Sequence, residues 1–90
     1  MKRYYVIFTG RVQGVGFRWF AEMLADKHNY TGWIRNMYNG NVEMEIQGSN
    51  LNIHSFISDL QKAARYASIS DYSAKEVPAL PHEFEFEVRG

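Results

Sequence analysis

A glycine-rich run between a predicted strand and a predicted helix constrains this chain more than any other feature. Residues 10–18 read Gly-Arg-Val-Gln-Gly-Val-Gly-Phe-Arg; the pattern before them, residues 4–9, favours a strand, and residues 19–25 after them favour a helix. Glycines let backbone N–H groups converge on a small anion, and a helix start adds unpaired donors and a partial positive charge. Arg18 adds a planar guanidinium that matches phosphate oxygens, so the run predicts a phosphate-binding turn.

Several well-known glycine loops do not fit this run. Trp19 stands where the dinucleotide pattern needs a third glycine, and no Gly-Lys-Ser/Thr follows for a nucleoside-triphosphate loop. A cysteine phosphatase would carry its thiolate at position 12, which is Val12. On the pattern alone, an ordinary strand–helix turn with a surface arginine is an equally good interpretation.

The order of the predicted elements is βαββαβ followed by a last strand segment. Strands are predicted at 3–9, 31–38, 42–47, 68–76 and 84–88, with helices at 18–28 and from about 49 onward. Asn39-Gly40 is a strong hairpin signal between the second and third strands. This order predicts an α+β, ferredoxin-like sandwich, with two helices on one face of an antiparallel sheet.

The same periodicities predict which side chains face the core. One helix should bury Phe17, Phe20, Ala21, Leu24 and His28; the other, capped by Ser49 or Asn50, should bury Ile53, Phe56, Ile57, Leu60 and Ala64. Strand residues predicted to face inward are Val42, Met44, Ile46, Ile69, Tyr72, Phe84, Phe86 and Val88, with Glu43, Glu45 and Gln47 facing solvent. Trp19, Trp33, Tyr4 and Tyr5 are interpreted as core or sheet-face aromatics rather than ligands.

Composition narrows the class of protein. Ninety residues predict one domain over 1–90, and 46% hydrophobic residues exclude a disordered chain. The chain has no cysteine and only three scattered histidines, so we expect no metal site and no cofactor. No leader or membrane-spanning stretch is visible, so we expect a cytoplasmic protein without membrane contact, and a monomer.

Formal charge is zero overall but is distributed unevenly. Residues 1–40 hold six basic and two acidic residues, whereas residues 41–90 hold four basic and eight acidic ones. The basic excess accompanies the glycine-rich run, as an anion site requires, although chance gives such asymmetry in short chains.

The string Gly10–Arg18 resembles the first signature of the acylphosphatase family. A second stretch, Gly32-Trp33-Ile34-Arg35-Asn36 with Gly40-x-Val42 and Gly48, resembles the other signature; Ile34 is larger than the usual residue there. The resemblance covers about residues 4–48 and resumes at 84–89. The chain departs from the family at Arg65-Tyr66-Ala67, where Gly-Pro is frequent, and in ending on Gly90 rather than on an aromatic residue.

The resemblance implies hydrolysis of the carboxyl–phosphate bond of a small acyl phosphate. It implies that Arg18 binds the phosphate and that Asn36, which spacing alone would leave as a polar hairpin residue, orients the attacking water. The implied phosphate cradle is the backbone of Gln13, Gly14, Val15, Gly16 and Phe17. Inorganic phosphate should then inhibit competitively. Whether the Gly90 carboxylate approaches Arg18 is open.

Three further kinds of protein share this order of elements. An RNA-binding domain would need exposed aromatic and basic residues on its central strands, and strand three instead presents Glu43, Glu45 and Gln47, so no nucleic-acid partner is expected. The order also suits a small-ligand regulatory domain, and it suits a detached acylphosphatase-like domain of a larger maturation enzyme.

Overall fold

The computed structural model describes residues 1–90 and confirms the predicted order of elements. Five strands and two helices follow one another as β1 (Lys2–Arg11), α1 (Phe17–Lys27), β2 (Thr31–Asn36), β3 (Val42–Gly48), α2 (Ile53–Ala63), β4 (Ser68–Val77) and β5 (Phe86–Arg89). Each helix has eleven residues, and neither has the length and apolar character needed to cross a membrane.

The strands form one sheet in the order β4-β1-β3-β2-β5. The first four strands pair antiparallel, as predicted, but β5 joins the edge beside β2 in a parallel pair, with Gly32 opposite Phe86 and Arg35 opposite Arg89. The sheet is therefore mixed. This parallel pairing brings the end of the chain next to Asn36, the last residue of β2.

The core lies between the helices and one face of the sheet. Its buried side chains include Val6, Phe8, Phe17, Ala21, Ala25, Ile34, Val42, Met44, Ile46, Ile53, Phe56, Ile57, Leu60, Ala64 and Phe86. Most predicted inward positions are confirmed, while Phe20 and Leu24 are only partly buried. His28 is wrong as a core residue: it caps the C-terminus of α1 in solvent, and Ala25 takes its place.

Phe84 and Val88 also differ from the prediction. Phe84 is 84% exposed, because β5 begins only at Phe86 and Phe84 lies before the strand. Val88 is 37% exposed, so only Phe86 of the three predicted side chains reaches the core.

Ile69 and Tyr72 both pack against the core, although an odd spacing should place them on opposite faces of a regular strand. The explanation is an irregularity in the β1–β4 ladder, where Thr9 pairs with Asp71 and Gly10 with Ile69. Ser70 is the extra residue, and its hydroxyl donates to the Thr9 carbonyl at 3.1 Å. The bulge reverses the alternation and accounts for both contacts.

The outer face of the sheet is not the solvated surface that alternation predicts. Glu43 and Gln47 are buried, and Arg3 is only 1% exposed. The segment before β5 covers part of this face: Glu83 accepts two hydrogen bonds from Arg3, and the Leu80 backbone exchanges two hydrogen bonds with the Gln47 side-chain amide. Polar side chains of β3 that alternation predicts to be solvated are therefore buried by a segment that is distant in the sequence.

The second helix begins later than predicted. Asn52 is its N-cap and accepts a hydrogen bond from the Ser55 N–H at 3.0 Å, so neither Ser49 nor Asn50 caps it. Asn50 instead adopts a left-handed conformation with φ of 59°, which turns the chain and buries Leu51 before the helix starts.

Candidate active site

The loop between β1 and α1 turns through two left-handed glycines. Gly14 has φ of 73° and Gly16, the N-cap residue of α1, has φ of 76°. Residues with a Cβ rarely adopt this conformation, so the glycines are required by the path of the chain. The turn leads directly into the helix that carries Arg18.

The loop leaves a set of backbone donors without partners. No N–H group of residues 13–16 donates to a backbone carbonyl, and the first bond at the start of α1 runs from Phe20 N–H to the Gly16 carbonyl at 3.1 Å. The helix has no side-chain cap and no acidic residue in its first turn. The unpaired donors and the positive end of the helix dipole therefore occur together in the turn between β1 and α1.

Arg18 is held by the last strand. Its Nη1 donates to the main-chain carbonyl of Arg89 at 2.9 Å, and it forms no ion pair with a carboxylate. The contact at the chain end is thus the Arg89 carbonyl, not the Gly90 carboxylate. Because one donor is fixed there, the guanidinium is oriented while its other donors stay available.

Arg18 and Asn36 line one cavity of about 310 Å³. The other lining residues are Val12, Gly14, Gly16, Phe17, Trp19, Glu22 and Val88. Asn36 is exposed at the end of β2. The structure therefore brings together the arginine, the asparagine and the glycine turn that the sequence singled out, although residues 10–18 and Asn36 lie on different elements.

The side chain of Gln13 connects the glycine turn to the β2–β3 hairpin. Its Nε2 donates to the carbonyls of Met37 and Asn41, each at 2.8 Å. The Asn41 carbonyl also accepts from Met37 N–H at 2.8 Å, which closes the hairpin directly after Asn36. The sequence predicted only a main-chain role for Gln13, and a lone amide in a loop carries no signal of its partner.

Glu43 anchors the same hairpin from the outer face of the sheet. It accepts from the Tyr5 hydroxyl at 2.6 Å and from Arg35 Nε. Burial raises the pKa of Glu43, but the hydrogen bonds from Tyr5 and Arg35 outweigh it and hold that pKa below its ordinary value. The hydrogen bond to Glu43, aided by burial, raises the pKa of Tyr5 to about 12. Glu43 is a fixed anion that orders the strand preceding Asn36.

The Trp33 ring on β2 contacts the side chains of two arginines, one on β2 and one on β5. The guanidinium of Arg89 lies 5.0 Å from the centre of the Trp33 ring, and that of Arg35 lies 5.7 Å from it. Such contacts between cations and aromatic rings are favourable. Arg89, whose main-chain carbonyl accepts from Arg18, is therefore itself held in place by the contact of its side chain with Trp33.

Trp19 is not the core or sheet-face aromatic that we predicted. It is 56% exposed and lines the cavity beside Arg18, because Phe17, Ala21 and Ala25 form the buried stripe of α1. Glu22 and Val88 line the cavity as well and carried no signal in the sequence. No group of three or more histidine, aspartate or glutamate side chains is placed to hold a metal ion.

Comparison with known proteins agrees with this geometry. The family model for acylphosphatase matches residues 4–88. An acylphosphatase of Clostridium beijerinckii is 45% identical over 89 residues, which span 99% of each chain. The crystal structure of acylphosphatase from Bacillus subtilis is 34% identical, covers 100% of both chains and superposes with a TM-score of 0.89.

The same fold also occurs inside a longer protein. The crystal structure of T. kodakarensis HypF matches 98% of this chain with 34% identity and a TM-score of 0.83, although the match covers only 12% of HypF. The relatives above are instead matched over almost their whole length. Taken with the match of the family model along nearly all of the sequence, these findings show that the chain belongs to the acylphosphatase family of hydrolases.

Proposed function

We propose that this enzyme hydrolyses acyl phosphates to a carboxylate and inorganic phosphate by in-line attack of a water molecule on phosphorus. In the proposed complex, Arg18 and the backbone N–H groups of residues 13–17 hold the phosphoryl group, and Asn36 orients the water. The observation that carries the proposal is the single cavity that Arg18, Asn36 and the glycine turn line together.

The unpaired donors of the turn support the phosphate-binding part. A phosphoryl group has three terminal oxygens, and the free N–H groups of residues 13–16 offer one donor each. Hydrogen bonds to charged groups contribute about 1.5–3 kcal/mol each, and fixed donors do not need to reorganise as charge develops. The helix start, which carries no acidic side chain, adds favourable potential for an anion.

The position of Arg18 creates an electrostatic conflict that a bound phosphoryl group would remove. A cation in the first turn of a helix opposes the helix dipole, and here no carboxylate of the protein pairs with it. A phosphoryl dianion bound between the guanidinium and the helix start would be attracted by both.

Asn36 suits the task of holding a neutral nucleophile. Its amide can accept one hydrogen bond from water through oxygen and donate another through nitrogen without ionising. Gln13 fixes the hairpin that follows Asn36 to the phosphate turn, so the distance from the amide to a bound phosphoryl group is restrained.

The reaction needs little acid–base assistance. Water adds to phosphorus, the bond between phosphorus and the bridging oxygen breaks, and the electron pair leaves with a carboxylate that is stable as an anion. One water and one acyl phosphate dianion give one carboxylate and one dihydrogen phosphate, so atoms and charge balance. Positioning and charge neutralisation are therefore the main contributions of the protein.

Phosphate release from acetyl phosphate in excess EDTA tests the proposal. We expect turnover by the wild type, near-complete loss in Arg18→Ala, and wild-type rates in the control Arg65→Ala, which removes an exposed arginine outside the cavity. Circular dichroism would verify that both variants fold. A folded wild type without turnover, or an active Arg18→Ala, would refute the proposal.

A further inference from the structure

Trp19 places a large aromatic surface at the mouth of the site. It follows Arg18 directly, lines the cavity and is 56% exposed. Its ring packs edge-on against Phe20, with ring centres 5.0 Å apart and planes at 77°, so the indole is restrained although it is not buried. An exposed, restrained aromatic beside polar groups that converge on one point is typical of a ligand-binding surface.

Other apolar groups extend this surface. Val88 lines the cavity from β5 and is 37% exposed. Met23 is 46% exposed and lies one helical turn beyond Trp19, on the same side of α1. An apolar strip therefore leads from the phosphate turn along the helix.

The charge of the cavity lining adds a second constraint. Arg18 is its one cation and Glu22 its one carboxylate, and Glu22 forms no ion pair within the protein. Under the proposed function Arg18 is engaged by the phosphoryl group. A second negative charge on the acyl group would meet Glu22 with no cation left to balance it.

We propose that Trp19 is a specificity-determining residue whose indole contacts the acyl group of the substrate, and that the Glu22 carboxylate disfavours an acyl group that carries a negative charge. The inference rests on the proposed function. The acyl group is joined to phosphorus through one oxygen, so it must lie within a few bond lengths of the phosphate turn, and Trp19 adjoins Arg18 there.

The test compares kcat/KM for benzoyl phosphate with kcat/KM for acetyl phosphate in each variant. The ratio cancels any loss of folded protein and any change in phosphate binding. In Trp19→Ala we expect this ratio to fall about twofold to tenfold, as the loss of one aromatic contact predicts. Trp19→Phe should keep most of the preference, and the control Tyr66→Ala, which removes an exposed aromatic outside the cavity, should leave the ratio unchanged.

A further pair of substrates tests the charge. Glu22→Gln should raise kcat/KM for succinyl phosphate relative to acetyl phosphate by about threefold. A factor of this order corresponds to the weak repulsion expected between the Glu22 carboxylate and the succinyl carboxylate when both are exposed to solvent. Asp59→Asn, which neutralises an exposed carboxylate on α2, is the matched control.

The outcomes separate the two proposals. Hydrolysis of neither benzoyl nor acetyl phosphate by the wild type would refute the proposed function itself. Hydrolysis of both with an unchanged ratio in Trp19→Ala would overturn the role of Trp19. A succinyl-to-acetyl ratio that Glu22→Gln leaves unchanged would overturn the role of Glu22.

Discussion

Gln13 Nε2 donates to the main-chain carbonyl of Met37 at 2.8 Å, and so joins the glycine turn between β1 and α1 to the hairpin that follows Asn36. A second bond of the same length reaches Asn41. The two halves of the proposed machinery, one that binds phosphate and one that orients water, are therefore linked by a single side chain rather than by the sheet alone.

Replacing Gln13 should lower turnover more than phosphate affinity. Gln13→Met keeps the length of the side chain but removes both donors, which frees the hairpin while the loop backbone stays in place. We expect kcat to fall about tenfold, because small displacements of a positioned group are costly, with a smaller rise in the inhibition constant of phosphate. Steady-state kinetics with phosphate as inhibitor measures both quantities.

A double-mutant cycle of Gln13→Met and Asn36→Ala tests whether Gln13 acts by positioning Asn36 or by stabilising the site in general. If Gln13 acts through Asn36, adding Gln13→Met to Asn36→Ala should change kcat little further, since the group being positioned is already absent. Full additivity of the two effects would contradict the link.

Asn36→Ala should abolish most of the turnover and leave phosphate binding largely intact. The amide is expected to touch the attacking water but not the bound phosphoryl oxygens, so its loss should reduce kcat about 100-fold, the scale of a positioning effect. Tyr38→Ala, in the same hairpin but with a fully exposed side chain outside the cavity that Asn36 lines with Arg18, is the matched control. A near-normal kcat in Asn36→Ala would remove the water-orienting role.

Inorganic phosphate should inhibit competitively against any acyl phosphate. The product occupies the same N–H groups and guanidinium as the phosphoryl group of the substrate, so the two cannot bind together. Double-reciprocal plots at several phosphate concentrations should intersect on the rate axis. A noncompetitive pattern would mean that phosphate binds elsewhere, and the Kd of phosphate, measured by calorimetry, should then be the same in Arg18→Ala as in the wild type.

The glycine turn between β1 and α1 could be predicted from the sequence because every part of it is local. Residues 10–18 are contiguous, and left-handed glycines before a helix start determine where the backbone donors point. Asn36 had no such signal, since its neighbourhood depends on the parallel pairing of β5 with β2. Only the family resemblance, not spacing, placed it at the site.

Two of the wrong predictions arise because the pattern of one element does not show what packs against it. Alternation along β3 indicates two faces but cannot say what covers the second, and residues 78–85 supply that cover from far along the chain. Trp19 is the opposite case, an aromatic side chain that was predicted to be covered and is exposed. A large aromatic is usually buried, yet the stripe of small and apolar residues at Phe17, Ala21 and Ala25 already fills the contact with the sheet and leaves Trp19 outside.

The Tyr5–Glu43 pair predicts how stability depends on pH at the acidic end. Because the pKa of Glu43 is lowered in the folded protein, its contribution is complete above its ordinary value of 4.5 and is lost as pH falls through the lower folded value. We expect the free energy of unfolding of the wild type to drop across that acidic window, and Glu43→Gln to flatten the drop.

At alkaline pH the free energy of unfolding should instead fall as the pH rises. The pKa of Tyr5 is raised to about 12, so its contribution is present below its ordinary value of 10.0 and is lost as pH rises toward 12. Urea denaturation of the wild type, Glu43→Gln and Tyr5→Phe over both ranges measures these slopes. An acid slope that Glu43→Gln leaves unchanged would show that other carboxylates produce it.

Arg3→Met should destabilise the fold without altering the phosphate site. Arg3 is 1% exposed and donates to Glu45, Gln47 and Glu83, which fastens the segment before β5 to the sheet. Its removal leaves partly buried carboxylates without their cation, and breaking such a pair costs about 3–5 kcal/mol when fully buried, so about 2–3 kcal/mol is expected here. The midpoint of urea unfolding should fall accordingly, while KM for acetyl phosphate in the remaining folded protein stays constant. Lys75→Met, which replaces an exposed cation on β4, is the control, and an equal loss of stability in that variant would show that Arg3 contributes nothing beyond its charge.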